Sequence, residues 1–324
     1  MKKVHLSLAC GDDELTRTLA EGTVTPEGID LTVLTGPMPE RNWRMSRFEE
    51  FDVCDYSLSG YVVARALGRR FTGIPVFLQR RFRHAYIFVN TRAGIRRPSD
   101  LAGRRVAMRE WMATTGVWLR GLLKHTYGVP TETIEWLTKD EEDVPLDLAR
   151  FQHHRVRRLE GPRPLDELLI AGDLDAVIYS ETLPSVRQRR PEVAPLFADA
   201  KAEEIAYYRA TRIFPIMHVT VIRDGVLAEH PWVAGSLFAA FEEAKRICYA
   251  RIRDPRRLPY AWIGALGEEQ QEILGPDPWA YGVEPNRHVL EAFLEYAVEQ
   301  ELSPRRLAVE DLFHPSVLGS IPAY

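Results

Sequence analysis

The sequence predicts an α/β protein in which mostly parallel sheets are covered by helices. Short segments rich in β-branched residues alternate with segments of helical periodicity along most of the chain, and this alternation is typical of parallel strands joined by crossover helices. The chain has 324 residues, of which 45% are hydrophobic. That length supports a large core and favours two lobes over one.

Strand and helix signals follow one another from the N-terminus. Strands are predicted at VHLSLAC, IDLTVLTG and FDVCDYSL. Helices are predicted at DELTRTLAEG and SGYVVARALG, which stop at Gly22 and Gly68, because glycine is the common residue just beyond a helix. One or two further strands are predicted within IPVFLQRRFRHAYIFVN.

A short turn, a strand and a longer helix are predicted next. Ser99 and Asp100 are suited to cap a helical turn, and residues 104–108 read as a strand. The segment TTGVWLRGLLKHTYG has the periodicity of an amphipathic helix, with Thr114 or Thr115 as its N-cap and Gly128 as its stop.

The second half repeats this order. TIEWLTK and LDAVIYS are predicted strands, with PLDELLIAGD as the helix between them. The polar stretch 140–164 is weakly periodic, and we interpret it as an excursion or an oligomer contact. From Pro231 onward the pattern is largely helical, and an exposed face of the helix after Glu284 is a candidate homodimer contact.

The composition excludes several classes of partner. A formal net charge of −4 gives no basic field, so no nucleic-acid partner is predicted. The sequence contains no run of 18 apolar residues, so no membrane span is predicted. The first residues contain too short an apolar run for an export signal, and the three cysteines are widely separated, which together predict a cytoplasmic protein.

No cofactor motif is visible in the sequence. It contains no His-x-x-x-His pair, no paired-cysteine motif, no glycine-rich phosphate loop and no dinucleotide fingerprint. Cofactor-independent chemistry is therefore predicted. The alternative, a divalent metal ion bound by scattered His, Asp and Glu side chains, stays open.

Six separated blocks of the chain resemble one known family. They read TPEGIDLTVLTG, FDVCDYSLSGYVVARALG, IPVFLQRRFRHAYIFVN, DLAGRRVAMREW with TTGVWLRGLL, FPIMHVTVIRD, and DPWAYGVEPNRHVLEAFLEYAVEQ. In this order they are similar to the 4,5-dihydroxyphthalate decarboxylase family, over nearly the whole chain. The chain departs from the family after the first strand, where Asp13-Glu14-Leu15-Thr16 replaces Tyr-Asp-Arg-Thr, and at Asp55, where the family has glutamate.

The resemblance implies a two-lobed fold of the type II periplasmic-binding-protein class, with a ligand cleft between the lobes. It places the two crossovers near 91–97 and 207–216. The expected first lobe is therefore discontinuous, comprising residues 1–95 and 217–324, and the second lobe comprises 96–216.

Several residues are candidates for binding an anionic substrate. Charged side chains in the stretch 79–84 cannot be buried unpaired, and arginine suits carboxylates. The positions that match the family are Arg80, Arg83 and His84; the alternative is a charged edge strand. At the start of the helix TTGVWLRGLL, we expect backbone amides and hydroxyls to point towards a ligand. The alternative is that they only cap the helix. The residues concerned are Thr114, Thr115 and Gly116, and Phe82 and Trp118 are candidates for stacking on an aromatic ring or for the core.

His218, in the middle of FPIMHVTVIRD, is the leading candidate for a catalytic acid. A histidine on an apolar strand is usually a satisfied core residue, but FPIMH matches a block of the family. Histidine holds a proton near neutral pH and can deliver it to a ring carbon. His84 is the second candidate, and Asp55 or Glu181 is the third; the alternative for Glu181 is a surface helix cap.

The resemblance implies a carboxy-lyase that protonates the ring carbon of a small hydroxylated aromatic or cyclic carboxylic acid and releases CO₂. Two alternatives are a non-catalytic solute-binding protein of a transporter, which the fold supports by analogy, and another lyase on the same fold.

Overall fold

A computed structural model describes residues 3–147, 151–254, 256–257 and 259–320. The chain forms two compact units. The first unit contains the chain up to Arg80, Ile216–Glu291 and the chain from Leu307 onward, and the second unit contains Arg81–Pro215 and Ala292–Arg306.

Strands and helices alternate as predicted. In chain order the strands are Val4–Cys10 (β1), Ile29–Thr35 (β2), Val53–Ser57 (β3), Phe71–Ile74 (β4), Ile87–Asn90 (β5), Arg105–Met108 (β6), Glu135–Thr138 (β7), Arg155–Arg158 (β8), Ala176–Ile178 (β9), Val193–Pro195 (β10) and His218–Arg223 (β11). The α-helices are Arg17–Ala20 (α1), Met38–Phe48 (α2), Leu58–Ala66 (α3), Thr114–His125 (α4), Leu165–Ala171 (α5), Pro184–Arg187 (α6), Ala200–Thr211 (α7), Asp224–Glu229 (α8), Val233–Arg253 (α9), Ile263–Leu274 (α10) and Arg287–Glu299 (α11).

The sheet of the first unit has the strand order β2-β1-β3-β11-β4. β1 runs parallel to β2 and β3, whereas β11 runs antiparallel to β3 and β4. His218 pairs with Ser57, and Thr220 pairs with Asp55. Because side chains alternate along a strand, His218 and Asp55 project from the same face of the sheet as diagonal neighbours.

The sheet of the second unit has the order β10-β5-β9-β6-β7-β8. β6 runs parallel to β7 and β9, and β5 runs antiparallel to β9 and β10. An apolar cluster packs on this sheet, and its buried members are Phe88, Ala107, Leu137, Leu165, Leu169, Leu174, Val177, Leu183 and Val193. β8 lies at the edge and comes from the polar stretch that the sequence suggests is an excursion.

The unit boundaries differ from the sequence-based ones. Residues 81–95 belong to the second unit, because β5 pairs with β9 and β10. Residues 292–306 also belong to it, because Trp118 of α4 packs on Phe293 and Tyr296 and the Arg120 guanidinium donates a 2.7 Å hydrogen bond to Gln300. The chain therefore passes between the units four times, not twice.

Two local predictions need correction. The stretch 79–84 is not a strand: β4 ends at Ile74 before Pro75, which has no N–H to donate, and His84 begins a 3₁₀ turn. The N-cap of α4 is Ala113, with no side-chain cap, and Thr114 and Thr115 are buried in the first turn. Among the described helices, none combines the length and the hydropathy that crossing a bilayer requires.

Candidate active site

Two buried side chains of the first unit, His218 and Arg41, share the carboxylate of Asp55. The Nδ1 atom of His218 lies 2.9 Å from Oδ2 of Asp55, and Nη2 of Arg41 lies 2.8 Å from the same oxygen. The exposed fractions of His218, Asp55 and Arg41 are 4%, 0% and 4%. The sequence predicts His218 and Asp55 as separate candidates, and the structure brings them into contact.

Arg41 reaches the site because α2 packs on β3. The buried positions of this helix are Arg41, Asn42, Met45 and Ser46, which recur at helical spacing on one face. The Asn42 side chain accepts a 3.4 Å hydrogen bond from the backbone of Ser57, and Ser46 hydrogen bonds to the hydroxyl of Tyr56. These contacts orient the helix so that the Arg41 guanidinium points at Asp55.

The electrostatics keep Asp55 ionised. Burial raises the pKa of this carboxyl, but the charges of His218 and Arg41 and their hydrogen bonds outweigh burial and hold the pKa below its usual value. An ionised Asp55 accepts the Nδ1–H of His218 and fixes the orientation of the ring. This contact leaves Nε2 as the ring nitrogen that Asp55 does not engage.

A second carboxyl group lies beside this pair. Burial, followed by the charge of Asp55, raises the pKa of Asp13 to about 6. Its Oδ1 accepts backbone hydrogen bonds from Leu15 and Thr16 at 3.0 and 3.2 Å. A Cβ on Gly11 would lie 2.9 Å from Asp13 Oδ2, so a larger residue there would displace this carboxylate oxygen.

Arg80 and Arg83 fall in different units. Nη2 of Arg80 donates a 2.9 Å hydrogen bond to the carbonyl of Ala280 and a second to Asn286, which fixes the turn after α10. Nη1 of Arg83 donates to the carbonyl of Ser180 at 3.1 Å. Burial lowers the pKa of Arg83 to about 10, so the guanidinium stays charged near neutral pH.

His84 lies in an aromatic environment in the second unit. Its ring centroid lies 5.3 Å from Phe197, 5.4 Å from Tyr207 and 6.3 Å from Tyr127. Neither ring nitrogen has a hydrogen-bond partner in the described part of the chain, and burial lowers its pKa to about 4. The imidazole is therefore neutral near pH 7, which argues against its predicted role as an acid.

The remaining candidates of the second unit have mainly packing contacts. A Cβ on Gly116 would lie 2.9 Å from Nη1 of Arg120, so this glycine makes room for a buried arginine. Trp118 is buried against Phe293 and Tyr296.

Phe82 and Glu181 lie nearer the surface of the second unit. Phe82 is half-buried, with its ring centroid 4.7 Å from Phe214. Glu181 is exposed. Within the described ranges, no group of three or more His, Cys, Asp or Glu side chains has an arrangement suited to a metal ion.

The sequence reasoning missed Arg41 and did not assign a role to Asp13. The signal for Arg41 was available, because an arginine on the same helical face as Met45 and Ser46 has to be buried and therefore paired. No local pattern marks the buried Oδ2 atom of Asp13, since the residue is half-buried and its neighbour Asp12 is exposed.

The two sheet orders define a two-lobed fold of the type II periplasmic-binding-protein class, as predicted. The alkanesulfonate-binding protein SsuA from Xanthomonas axonopodis pv. citri, solved bound to MOPS, has a TM-score of 0.56 and 12% identity over 97% of this chain and 98% of its own. At this identity the likeness shows the fold alone. No family model matches the chain.

Two relatives show the family. A 4,5-dihydroxyphthalate decarboxylase from Comamonas testosteroni is 33% identical over 99% of this chain and 99% of its own length. A second, from Pseudomonas putida, is 30% identical over 65% of this chain and 83% of its own. The chain belongs to the 4,5-dihydroxyphthalate decarboxylase family, which confirms the resemblance seen in the sequence.

Proposed function

We propose that the protein is a decarboxylase acting on a small hydroxylated aromatic acid such as 4,5-dihydroxyphthalate, with His218 as the acid. The observation that carries the proposal is the 2.9 Å contact between His218 Nδ1 and Asp55 Oδ2, with Arg41 on the same oxygen. Family membership supports the reaction class, and the buried ion pair supports the assignment of the proton donor.

The proposed step moves one proton and breaks one bond. The Nε2–H of the His218 imidazolium gives its proton to the ring carbon that carries the carboxylate. The carbon–carbon bond to the carboxylate then breaks, CO₂ leaves, and the bonding electron pair restores the aromatic ring. His218 is left neutral and takes up a proton from water. Asp55 stays ionised throughout and stabilises the imidazolium.

In the second unit, Arg83 and the first turn of α4 stay predicted carboxylate-binding groups. Arg83 keeps its charge. Thr114 and Thr115 lie in the first turn of α4, where backbone N–H groups have no hydrogen-bond acceptor within the helix. We expect aromatic acids to raise the melting temperature while their amides do not. Equal stabilisation by acid and amide would contradict this prediction.

Mass spectrometry of the product tests the reaction. Incubation with 4,5-dihydroxyphthalate should give a product that is lighter by one CO₂, and the same sample treated with EDTA should turn over at an unchanged rate if the chemistry needs no metal ion. Stabilisation of the protein by the acid without any product would instead identify a solute-binding protein.

A further inference from the structure

Several side-chain polar atoms of the first unit are buried without a hydrogen-bond partner among the described residues, and three of them are oxygen atoms of acidic groups. These three are Oδ2 of Asp13, Oδ1 of Asp55 and the hydroxyl oxygen of Tyr281. A buried polar atom without a partner is costly, and such atoms in native structures are usually satisfied by water or by a ligand. All three atoms lie in the unit that holds His218.

The Asp13 carboxylate is held with one oxygen engaged and the other available. Oδ1 accepts the backbone hydrogen bonds of Leu15 and Thr16 that close the turn after β1. Oδ2 faces Gly11, where any Cβ would lie 2.9 Å from it. The turn therefore fixes the carboxylate while Oδ2 remains able to accept a hydrogen bond.

Tyr281 is fixed on both sides. The carbonyl of Ala280 accepts a 2.9 Å hydrogen bond from Arg80, and the backbone N–H of Gly282 donates to Pro75 at 2.8 Å. The Nζ atom of Lys245 lies 4.4 Å from the centroid of the Tyr281 ring, and the tyrosine is 0% exposed. Its hydroxyl therefore has a defined position.

Charge interactions connect these groups. Burial, Glu242 and then Asp13 hold the pKa of the Tyr281 phenol well above its usual value, so that the hydroxyl keeps its proton. The charge of Asp55 acts on Asp13 in turn. Two carboxylates at this place repel a carboxylate group of a ligand and favour a group that donates a hydrogen bond.

We infer that Asp13 and Tyr281 bind a ring hydroxyl of the substrate, with Asp13 Oδ2 accepting its hydrogen and Tyr281 donating to its oxygen. The inference rests on the proposed decarboxylase function and names the substrate group that this part of the site selects. It makes Asp13 and Tyr281 determinants of specificity for hydroxylated rings.

The same contact assists the reaction. When His218 protonates the ring carbon, the hydroxyl proton passes to Asp13, and the ring becomes a neutral dienone that still carries its carboxylate. When the carbon–carbon bond breaks and CO₂ leaves, the electron pair restores the aromatic ring, and Asp13 returns the proton to the oxygen. Protons and charges balance without a further reactant.

Binding measurements test the inference separately from turnover. The test is to measure the Kd values of phthalate and 4-hydroxyphthalate by calorimetry in the wild type, Asp13→Asn and Tyr281→Phe. Asp12→Asn is the control, because Asp12 is the exposed neighbour of Asp13. Asparagine keeps an oxygen for the turn but replaces the Oδ2 acceptor with a donor. The hydroxyl should tighten wild-type binding about 10- to 100-fold, and this gain should be lost in Asp13→Asn and reduced in Tyr281→Phe.

Opposite changes for the two ligands separate recognition from structural damage. In Asp13→Asn, phthalate should bind a few-fold more tightly, because a repulsive charge is removed, whereas a damaged fold weakens both ligands. The kcat for 4,5-dihydroxyphthalate should fall about 10- to 100-fold in this variant. A wild type that binds both acids equally, or a hydroxyl gain that survives in both variants, overturns the inference. Hydroxyl-dependent binding without release of CO₂ overturns the proposed function alone.

Discussion

The imidazole of His218 and the carboxylate of Asp55 meet at 2.9 Å across two antiparallel strands. His218 is the first residue of β11, and Asp55 lies in the middle of β3. The orientation of the ring is therefore set by the register of a sheet, which is a more rigid support than a loop.

The first prediction concerns His218→Asn. Loss of the proton donor should lower kcat about 10²- to 10⁴-fold. Because His218 is buried against Asp55, the variant should also lose about 1 to 3 kcal/mol of stability. The measurement is kcat per folded molecule, together with the melting temperature.

His84→Asn is the matched control for that experiment, because it also replaces a buried histidine. This variant should lose stability and keep its kcat, since the ring of His84 is neutral. The opposite pattern, with normal turnover in His218→Asn and none in His84→Asn, would move the acid to His84.

The second prediction concerns Arg41→Met. Removing the guanidinium leaves the buried Asp55 with only His218 as a charged partner. Breaking a buried ion pair in this way typically costs about 3 to 5 kcal/mol. Urea denaturation should show that loss, and Arg41→Lys should recover part of it. A change within experimental error in Arg41→Met would show that the pair contributes little.

The third prediction concerns the pH dependence of stability. The pKa of Asp13 rises from its ordinary value of 3.8 to about 6 on folding. The folded state therefore binds an extra proton between these values, so Asp13 favours folding below about pH 4 and that contribution is lost as the pH rises through 6. This pKa difference corresponds to a change of at most about 3 kcal/mol in the free energy of unfolding.

Asp13→Asn tests this sign, because its side chain is neutral at every pH. Relative to the wild type, the variant should gain stability steadily from pH 4 to pH 7 in chemical denaturation. Asp12→Asn serves as the exposed control. A difference between Asp13→Asn and the wild type that is constant with pH would contradict the shifted pKa.

The fourth prediction concerns Gly121→Ala in α4. A Cβ there would lie 2.2 Å from the ring of Tyr296, which cannot move aside because His125 stacks on it at 4.9 Å and Trp118 contacts it. Overpacking of this kind should cost about 1 to 3 kcal/mol or more. Gly267→Ala in α10 is the control, because nothing lies within 4 Å of the added Cβ, and it should be stabilising by up to about 1 kcal/mol.

The sequence was sufficient where the pattern is local. The strands β1 and β3 and the helix α4 lie within the segments predicted for them, although the N-cap of α4 is Ala113 and not Thr114 or Thr115. The family resemblance added the two-lobed fold and made His218 the leading candidate for the acid. No local signal marks the crossing at Arg80, because it depends on β5 pairing with β9, which follows it by 86 residues or more.

The candidate site was predictable only in part. His218 and Asp55 were both candidates, but their contact depends on the antiparallel register of β11 with β3, which no single segment encodes. The burial of the Asp13 Oδ2 atom and of the Tyr281 hydroxyl is likewise a tertiary property. The sequence does not distinguish Arg80 from Arg83. In the structure Arg80 donates to the carbonyl of Ala280 in the first unit, and Arg83 donates to the carbonyl of Ser180 in the second.

The 2.7 Å bond between Arg120 and Gln300 spans 180 residues of sequence, and it has a consequence for biosynthesis. At translation rates of about 5 to 20 residues per second, Arg120 leaves the ribosome about 10 to 40 s before Gln300 does. Throughout that interval the guanidinium lacks the amide that engages it in the finished protein. The nascent second unit therefore stays incomplete until synthesis is almost over.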